Sequence, residues 1–569
     1  MSNKPISLGP WKKGIVNTVA PFSMPKDAVL DALNVDFLNN GGVRSRPGFG
    51  PETPVDQGHS LSTAGSTTLM VFGEDLVVLD SISPLTTTTL RTGLTAMRPV
   101  SYADMAGEVW WSNGEDSGRC NSDHTDSPWA VPTPGSVPTL ASTLVGTLQA
   151  GSYRVAISHA MTDGEESAAL LASVDLASAG GIVVTLPAAQ PGVDRFVVYC
   201  SGPDGSVLQR STTVAAATAS VTISSPAEGR ALGQRAFLAP LPAGDQVAFF
   251  NGRLLSASGS ILSYSDVYDF GLYNPAKNWI RMPDEIRVVA PCENGVFIGT
   301  TRMVYWYAGP DIATAEVFGR IPASSVRGTV FNHPNGVAVG WMSSDGMLIG
   351  TPDGAVESPQ SKNGFKPPEA EYGNAFVLES KGETHVIFSL DSSARYPADV
   401  DPGFTAAREA YDDEMGALSV NLATGAASRY GGAWVFNSLA QIGRSVYGMD
   451  SAGLREISGR DDDGNLIECV IDLGKPSVSG QIWTPINVYV YGEATEKLTL
   501  VVVTPSGQAY EYLSHTSAPD AQCMRFQPGK GLRAVYHWLR LTNIPYGGEF
   551  TLAHVEALPA GLSQRRIGG

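Results

Sequence analysis

The chain has 569 residues, 62 of them Gly and 38 Pro, with 17% charged side chains and a formal net charge of -18. That length exceeds what one hydrophobic core usually supports, so two to four domains are expected, and the turn-rich composition is that of a mostly β protein. The acidic balance argues against tight phosphate binding, because nucleic-acid binders draw affinity from clustered Lys and Arg. The N-terminal segment lacks the charged-then-apolar pattern of a secretory leader, and no apolar run approaches the ~20 residues of a membrane-spanning helix. Cytosolic synthesis is the expectation.

Residues 1–50 read as an arm. The stretch GPWKKGIVN (Gly9 to Asn17) leads to Ser23 and Pro25, which supply N-terminal signals for a short helix through Leu33. Asn34 to Leu38 alternates as a strand. Asn39-Asn40-Gly41-Gly42 supplies the positive-φ residues of a tight hairpin, and Val43 to Arg46 returns until Pro47-Gly48 ends the pairing. Such an arm buries little by itself. It carries six Lys or Arg against three Asp, so Trp11, Lys12, Lys13, Arg44 and Arg46 are expected to form an assembly element that docks on an acidic adjacent subunit.

Residues 51–130 and 235–460 repeat one pattern: apolar strand, tight polar turn, second apolar strand, longer loop. It occurs at Thr68 to Asp80, Val247 to Ser258, Gly295 to Pro310, Gly336 to Gly354 and Leu439 to Ile457. Weaker instances fall near Glu108 to Ser112, His385 to Leu390 and Gly416 to Arg429. From Val247 the hairpins begin roughly 40 to 50 residues apart, the period of propeller blades, and roughly six to eight blades are expected. An irregular series of hairpins in a sandwich is the competing reading.

Residues 131–234 interrupt this series with an Ala-, Ser-, Thr- and Val-rich stretch. Strands at Gly151 to Ala169, Ile182 to Pro187, Asp194 to Arg210 and Ser220 to Ser224 fit an inserted β-sandwich of fibronectin III or immunoglobulin type, which takes about seven strands in a hundred residues. Arg460 to Asn465 reads as a solvated linker. From 466 to 569 a last β domain is expected, with Val488, Val490, Leu498, Leu500 and Val502 in period-two alternation. It ends in a polar tail whose Arg565 and Arg566 are further assembly candidates. Residues 525–569 hold six Lys or Arg against two Glu, so two basic ends flank an acidic body.

Catalytic and cofactor motifs are absent from the sequence: no G-x-S-x-G, GxxxxGK, HExxH or GxGxxG occurs. The eight His are isolated, and the five Cys lie far apart without ligand spacing, as expected of structural His and lone buried thiols. Asp461, Asp463 and Asn465 have the 1, 3, 5 spacing of a calcium loop with Asp472 at its twelfth position, but Leu466 stands where the obligatory Gly belongs, which favours a solvated turn. Ser343-Ser344-Asp345-Gly346 is similar to the turn of sialidase propellers, yet nothing in the sequence pairs acids such as Glu409, Asp412, Asp413 and Glu414 for glycoside cleavage. Trp110-Trp111 and Tyr305-Trp306-Tyr307 alternate with apolar neighbours and read as core or subunit contacts rather than as stacking platforms. No enzyme, cofactor or metal is expected.

The arm ending in Asn34-Val35, followed by Gly41, Arg44, Arg46, Pro47 and Gly48, resembles the tail tube or nozzle proteins of short-tailed bacteriophages, the tail tubular B type related to packaged-DNA stabilisation proteins. The hairpin array and the final Gly529 to Phe550 stretch share the likeness, and the YRVAISHAMTDGEES phrase (Tyr153 to Ser167) resembles fibronectin-like modules of phage virion proteins. The resemblance implies a virion structural protein. It would form a hexameric ring on the head-to-tail connection, with portal, adaptor and fibre or tip proteins as partners, and DNA would pass through without specific binding. Contact with the host envelope is also implied. Two other readings stay open: a host-receptor-binding or glycan-cleaving tail protein, and a hub or baseplate component of a long-tailed phage.

Overall fold

The computed structural model describes residues 4–20, 23–95, 98–390, 416–431, 433–476, 482–515, 522–529 and 531–563. The chain is mainly β, with one short α-helix, Pro359–Asn363, among the described residues. It divides into two compact units, the first comprising Met1–Pro99, Arg287–Pro310 and Ala315–Gly569 and the second Val100–Ile286 with Asp311–Thr314.

The fold is that of a β-propeller. Among the described residues, seven runs of four antiparallel strands have the order of propeller blades, six of them as separate sheets and the sixth in chain order, Gly373–Ser380 to Ala427–Tyr430, as part of a larger sheet. The first unit holds five. Blade one is Gly58–Ala64, Thr67–Phe72, Asp75–Ile82 and Leu85–Arg91, and blade five is built on Val339–Ser343 and Gly346–Gly350. Each blade follows from the hairpin grammar of the sequence, with apolar strands turning on Gly or a small polar residue. The Ser343-Ser344-Asp345-Gly346 segment is one such turn, with Gly346 at φ 100. Aromatic side chains fill blade four, which runs from Ile286–Cys292 to Glu316–Ile321, and blade five: Phe297 lies 4.3 Å from Trp306 and 5.5 Å from Trp341 between ring centroids.

Blade seven has an outer strand that its own stretch of sequence does not provide. Ser438–Ile442, Ser445–Met449 and Gly453–Glu456 are completed by Thr53–Pro54, which lies just before blade one in the chain. Pairing the last blade with a strand from ahead of the first joins distant parts of the chain through backbone hydrogen bonds. A two-residue strand containing Pro suits an edge position, where no ladder N–H is needed.

The second unit holds blade two (Ser101–Met105 to Asp126–Ser127), blade three (Gln246–Phe250 to Trp279–Arg281) and the insert. Blade two contains Glu108–Ser112, whose Trp110 and Trp111 are buried as core. The insert is a sandwich of a three-stranded sheet (Thr139–Leu148, Gly180–Thr185, Ser220–Ile223) and a four-stranded sheet (Leu170–Leu176, Gly151–Ala160, Arg195–Ser201, Leu208–Ala215). Tyr153, Val155, Ile157, Ile182, Val184, Phe196 and Val198 fill the space between the sheets. Alternation along Gly151–Ala160 and Arg195–Ser201 puts these residues on the inner face.

The arm departs most from expectation. Residues 23 to 33 form no helix; turns lead into the strands Ala28–Val29 and Asp31–Leu33. A lone helix of that length is marginal in water, and the alternative gains a whole ladder. Asp31–Leu33 runs antiparallel to Val470–Asp472, with Asp31 opposite Asp472, and pairs in parallel with Ala427–Tyr430 at Leu33 and Arg429. The arm strand thereby joins blade six to the C-terminal strands in one eleven-stranded sheet. The expected hairpin does form, Val35–Phe37 against Val43–Ser45, with Gly41 at φ 84 in its turn. Val43–Ser45 then pairs with the long strand Phe550–Ser563, as does Ile6–Leu8. Arm and C-terminal domain therefore share one core, which runs from Leu8, Trp11 and Val35 to Val555 and Ala557.

Candidate functional site: the buried arm junction

Arg46 stands at the end of the arm hairpin with its side chain 1% exposed. Its Nη1 and Nη2 donate to the two carboxylate oxygens of Asp462 at 2.9 and 2.7 Å, a planar two-point pair. Nε donates to Asn34 Oδ1 at 2.9 Å and Nη1 also to the Pro47 carbonyl at 2.9 Å. The guanidinium lies over the rings of Trp434, 5.0 Å from its centroid, and Tyr430, at 5.6 Å. A charge taken this far out of water is tolerable only with its counter-ion and hydrogen bonds complete; here the partners come from four segments.

Asn34 links the same segments. Its Nδ2 donates to the Glu468 carbonyl at 2.7 Å, while its Oδ1 accepts from Gly431 N at 3.0 Å as well as from Arg46. The Cys469 thiol donates to the Asn34 carbonyl, and burial pushes that thiol's pKa up to about 12, so it stays protonated and inert. Asp36, equally buried, accepts from Ser419 Oγ at 2.7 Å and from the Tyr430 hydroxyl. Burial, then the neighbouring Asp36 charge, raises the Tyr430 pKa well above the ordinary phenol value, so the hydroxyl remains a donor. Arg429 closes the outer edge with a two-point pair to Asp31 at 2.7 and 2.6 Å.

Gly48 is required by proximity. A Cβ there would stand 1.9 Å from the Asp461 carbonyl oxygen, because the Phe49 N–H donates to that carbonyl at 3.0 Å and the Asp463 N–H returns to the Phe49 carbonyl. Phe49 then packs edge-on against Phe436 and Trp434. Residues 460–465 are exposed apart from Asp462, yet they belong to an ordered hairpin rather than a linker. Asp461–Asp462 and Asn465–Leu466 form a hairpin whose turn, Asp463 and Gly464, has positive φ at both residues, and its Asp462 is the Arg46 counter-ion.

These placements revise the expected assembly residues. Trp11 is fully buried, Arg46 is paired within its own chain, and Arg44, also buried, donates to the Ser380 carbonyl at 3.2 Å. Arg44 and Arg46 thus find hydrogen-bond partners within the chain itself. Lys13 is half-buried and sits 3.5 Å from Asp27; Lys12 is exposed. Arg565 and Arg566 lie outside the described residues, as do Glu409, Asp412, Asp413 and Glu414.

Chemically the junction is a clamp. Its charged groups are matched and its hydroxyls are donors to fixed acceptors. The calcium-loop acids are dispersed: Asp461 caps Gly464 N at 2.7 Å, Asp463 lies 3.6 Å from Arg455, and buried Asp472 accepts from Gly474 N, Trp538 Nε1 and Arg540 Nη2. Among the described residues no group of three or more His, Cys, Asp or Glu side chains is placed to hold a metal. Three of the four buried His among the described residues donate to backbone carbonyls: His385 Nε2 to that of Phe37 at 2.8 Å, His537 Nε2 to that of Trp483 at 3.0 Å, and His159 Nδ1 to that of Pro132 at 2.7 Å.

No family model and no curated protein matches the chain. Solved structures that align with it include BamB from Moraxella catarrhalis, 11% identical, covering 71% of this chain and 99% of that one at a TM-score of 0.32. Kluyveromyces lactis Hsv2 is 9% identical over 67% and 97% of the respective chains at 0.24. The extracellular domain of the one-component system BT4673 from B. thetaiotaomicron is 10% identical over 94% and 96% at 0.25. At this level of similarity they add nothing on function.

Proposed function

We propose that the chain is a structural subunit of a bacteriophage virion, building the ring-shaped nozzle of a short tail that retains the packaged genome and conducts DNA during ejection. The observation that carries this reading is the arm junction: Asn34, Arg46, Pro47 and Gly48, four of the seven residues on which the family resemblance rests, lie where the arm is locked to the C-terminal domain. A junction whose charges are matched internally suits a structural conduit. The acidic excess of the chain between its basic ends fits a duct that repels duplex phosphates instead of binding them by counterion release.

In this reading the partners are further copies in a hexamer, the portal or adaptor above and fibre or tip proteins below, with no cofactor. Sedimentation and negative-stain imaging of the purified chain test the proposal. A closed ring of six copies with a central channel is expected; a trimer that depolymerises host glycans would overturn it in favour of a receptor-binding or glycan-cleaving tail protein.

A further inference from the structure

Blade three contains a cavity of about 390 Å³, within the size range of small-molecule sites, roughly 300–1,000 Å³. Its floor is one face of the blade. Ser256 stands opposite Ser263, and Ser263 opposite Trp279, so the three form a row across adjacent strands; Ser258 and Ile261 face each other in the next row. Tyr273 contributes a wall. No Asp, Glu, Lys, Arg or His lines the cavity.

The hydroxyls of this blade fall into two groups. Ser256 Oγ donates to the Pro242 carbonyl at 2.8 Å, Tyr264 to the Lys277 carbonyl at 3.0 Å and Ser265 to the Asp266 carbonyl at 2.9 Å. Among the described residues, the Ser258, Ser263 and Tyr273 hydroxyls and the Trp279 indole N–H, all lining the cavity, have no protein partner. Ser263 is only 5% exposed as a whole residue. Trp279, by contrast, exposes 45% of its surface. A large indole held at the rim of a neutral cavity, beside three free hydroxyls, offers an apolar face together with both donors and acceptors.

We infer that this cavity binds a neutral saccharide. A pyranose presents a C–H face that packs on an indole and an edge of hydroxyls that both donate and accept; the uncharged lining selects against sugar acids and phosphates. The inference stands apart from the nozzle reading, since a ring subunit can carry a glycan contact on a blade without turnover.

The test titrates the purified full chain with glucose, galactose, N-acetylglucosamine and their β-linked disaccharides, read by saturation-transfer NMR and Trp fluorescence. Saturable binding of at least one sugar is expected, weakened about tenfold in Trp279→Ala and in the Ser258→Ala/Ser263→Ala double variant. Both variants should keep the parent melting temperature, and Ser263→Val serves as a second check on the polar contact. The inference is overturned if no sugar saturates, if Trp279→Ala binds unchanged, or if glycerol or a proline-rich peptide competes as well as the sugars. Ring formation measured on the same samples separates this outcome from the fate of the nozzle proposal.

Discussion

The arm junction and the inserted sandwich solve the same problem, burying strands that cannot stand alone, in opposite ways. The sandwich draws its core from one continuous stretch, Leu148 to Ile223. The junction draws its core from Leu8 to Ala557 and closes on an ion pair whose members are 416 residues apart in sequence. A local core can be inserted or lost as a module. A core assembled from both ends of the chain makes those ends interdependent, which suits a part whose arm and C-terminal domain must move as one piece.

Deleting residues 1–50 is the strongest way to break this contrast. It removes strands from the eleven-stranded sheet and from the sheet built on Phe550–Ser563, and the C-terminal domain should lose its cooperative unfolding transition while the sandwich keeps its own, read by hydrogen exchange. Next in size, Arg46→Ala leaves Asp462 buried and unpaired, and a loss of about 3–5 kcal/mol is expected from denaturant midpoints. The apolar double replacement Arg46→Met with Asp462→Leu should recover most of it. If Arg46→Ala were silent, the clamp would not hold the arm. Inside the sandwich, Ile157→Ala should cost about 2–5 kcal/mol through a lost side chain and a cavity, but its effect should stop at the insert, leaving protection of the arm strands unchanged.

A smaller effect concerns pH. Burial lowers the His59 pKa from 6.5 to about 4, and burial also lowers that of His159 in the sandwich. With the folded value depressed, the unfolded chain takes up the proton first. The stability contribution of each neutral ring is complete above pH 6.5 and is lost as pH falls; for His59 the window runs down to about 4, with a total of roughly 3 kcal/mol. His59→Gln should flatten the acid slope of the first unit's transition and leave that of the sandwich in place.

How legible each region was follows from the same distinction. The hairpin from Val35 to Ser45 was readable because Asn-Asn-Gly-Gly encodes its turn locally, and the sandwich strands because they alternate within one stretch. The segment Ser23 to Leu33 carried genuine helix-start signals, yet its strands are set by Val470–Asp472 and Ala427–Tyr430, far along the chain. No local pattern marks Asp462 as the partner of Arg46 or Thr53–Pro54 as the edge of blade seven. The basic residues of the arm suggested an external acidic partner; the acid that Arg46 meets was present in the sequence as part of an apparent linker. The saccharide cavity was equally silent, because Ser256, Ser263 and Trp279 converge only across strands.

The central claim is that this clamped subunit forms the duct of a short phage tail. The most direct measurement is a particle image by electron cryomicroscopy with the chain located in it. The account predicts a sixfold ring on the head-to-tail axis, around the DNA path. Density for the chain at the periphery, as a trimeric fibre or as one component of a long-tail baseplate, would contradict it.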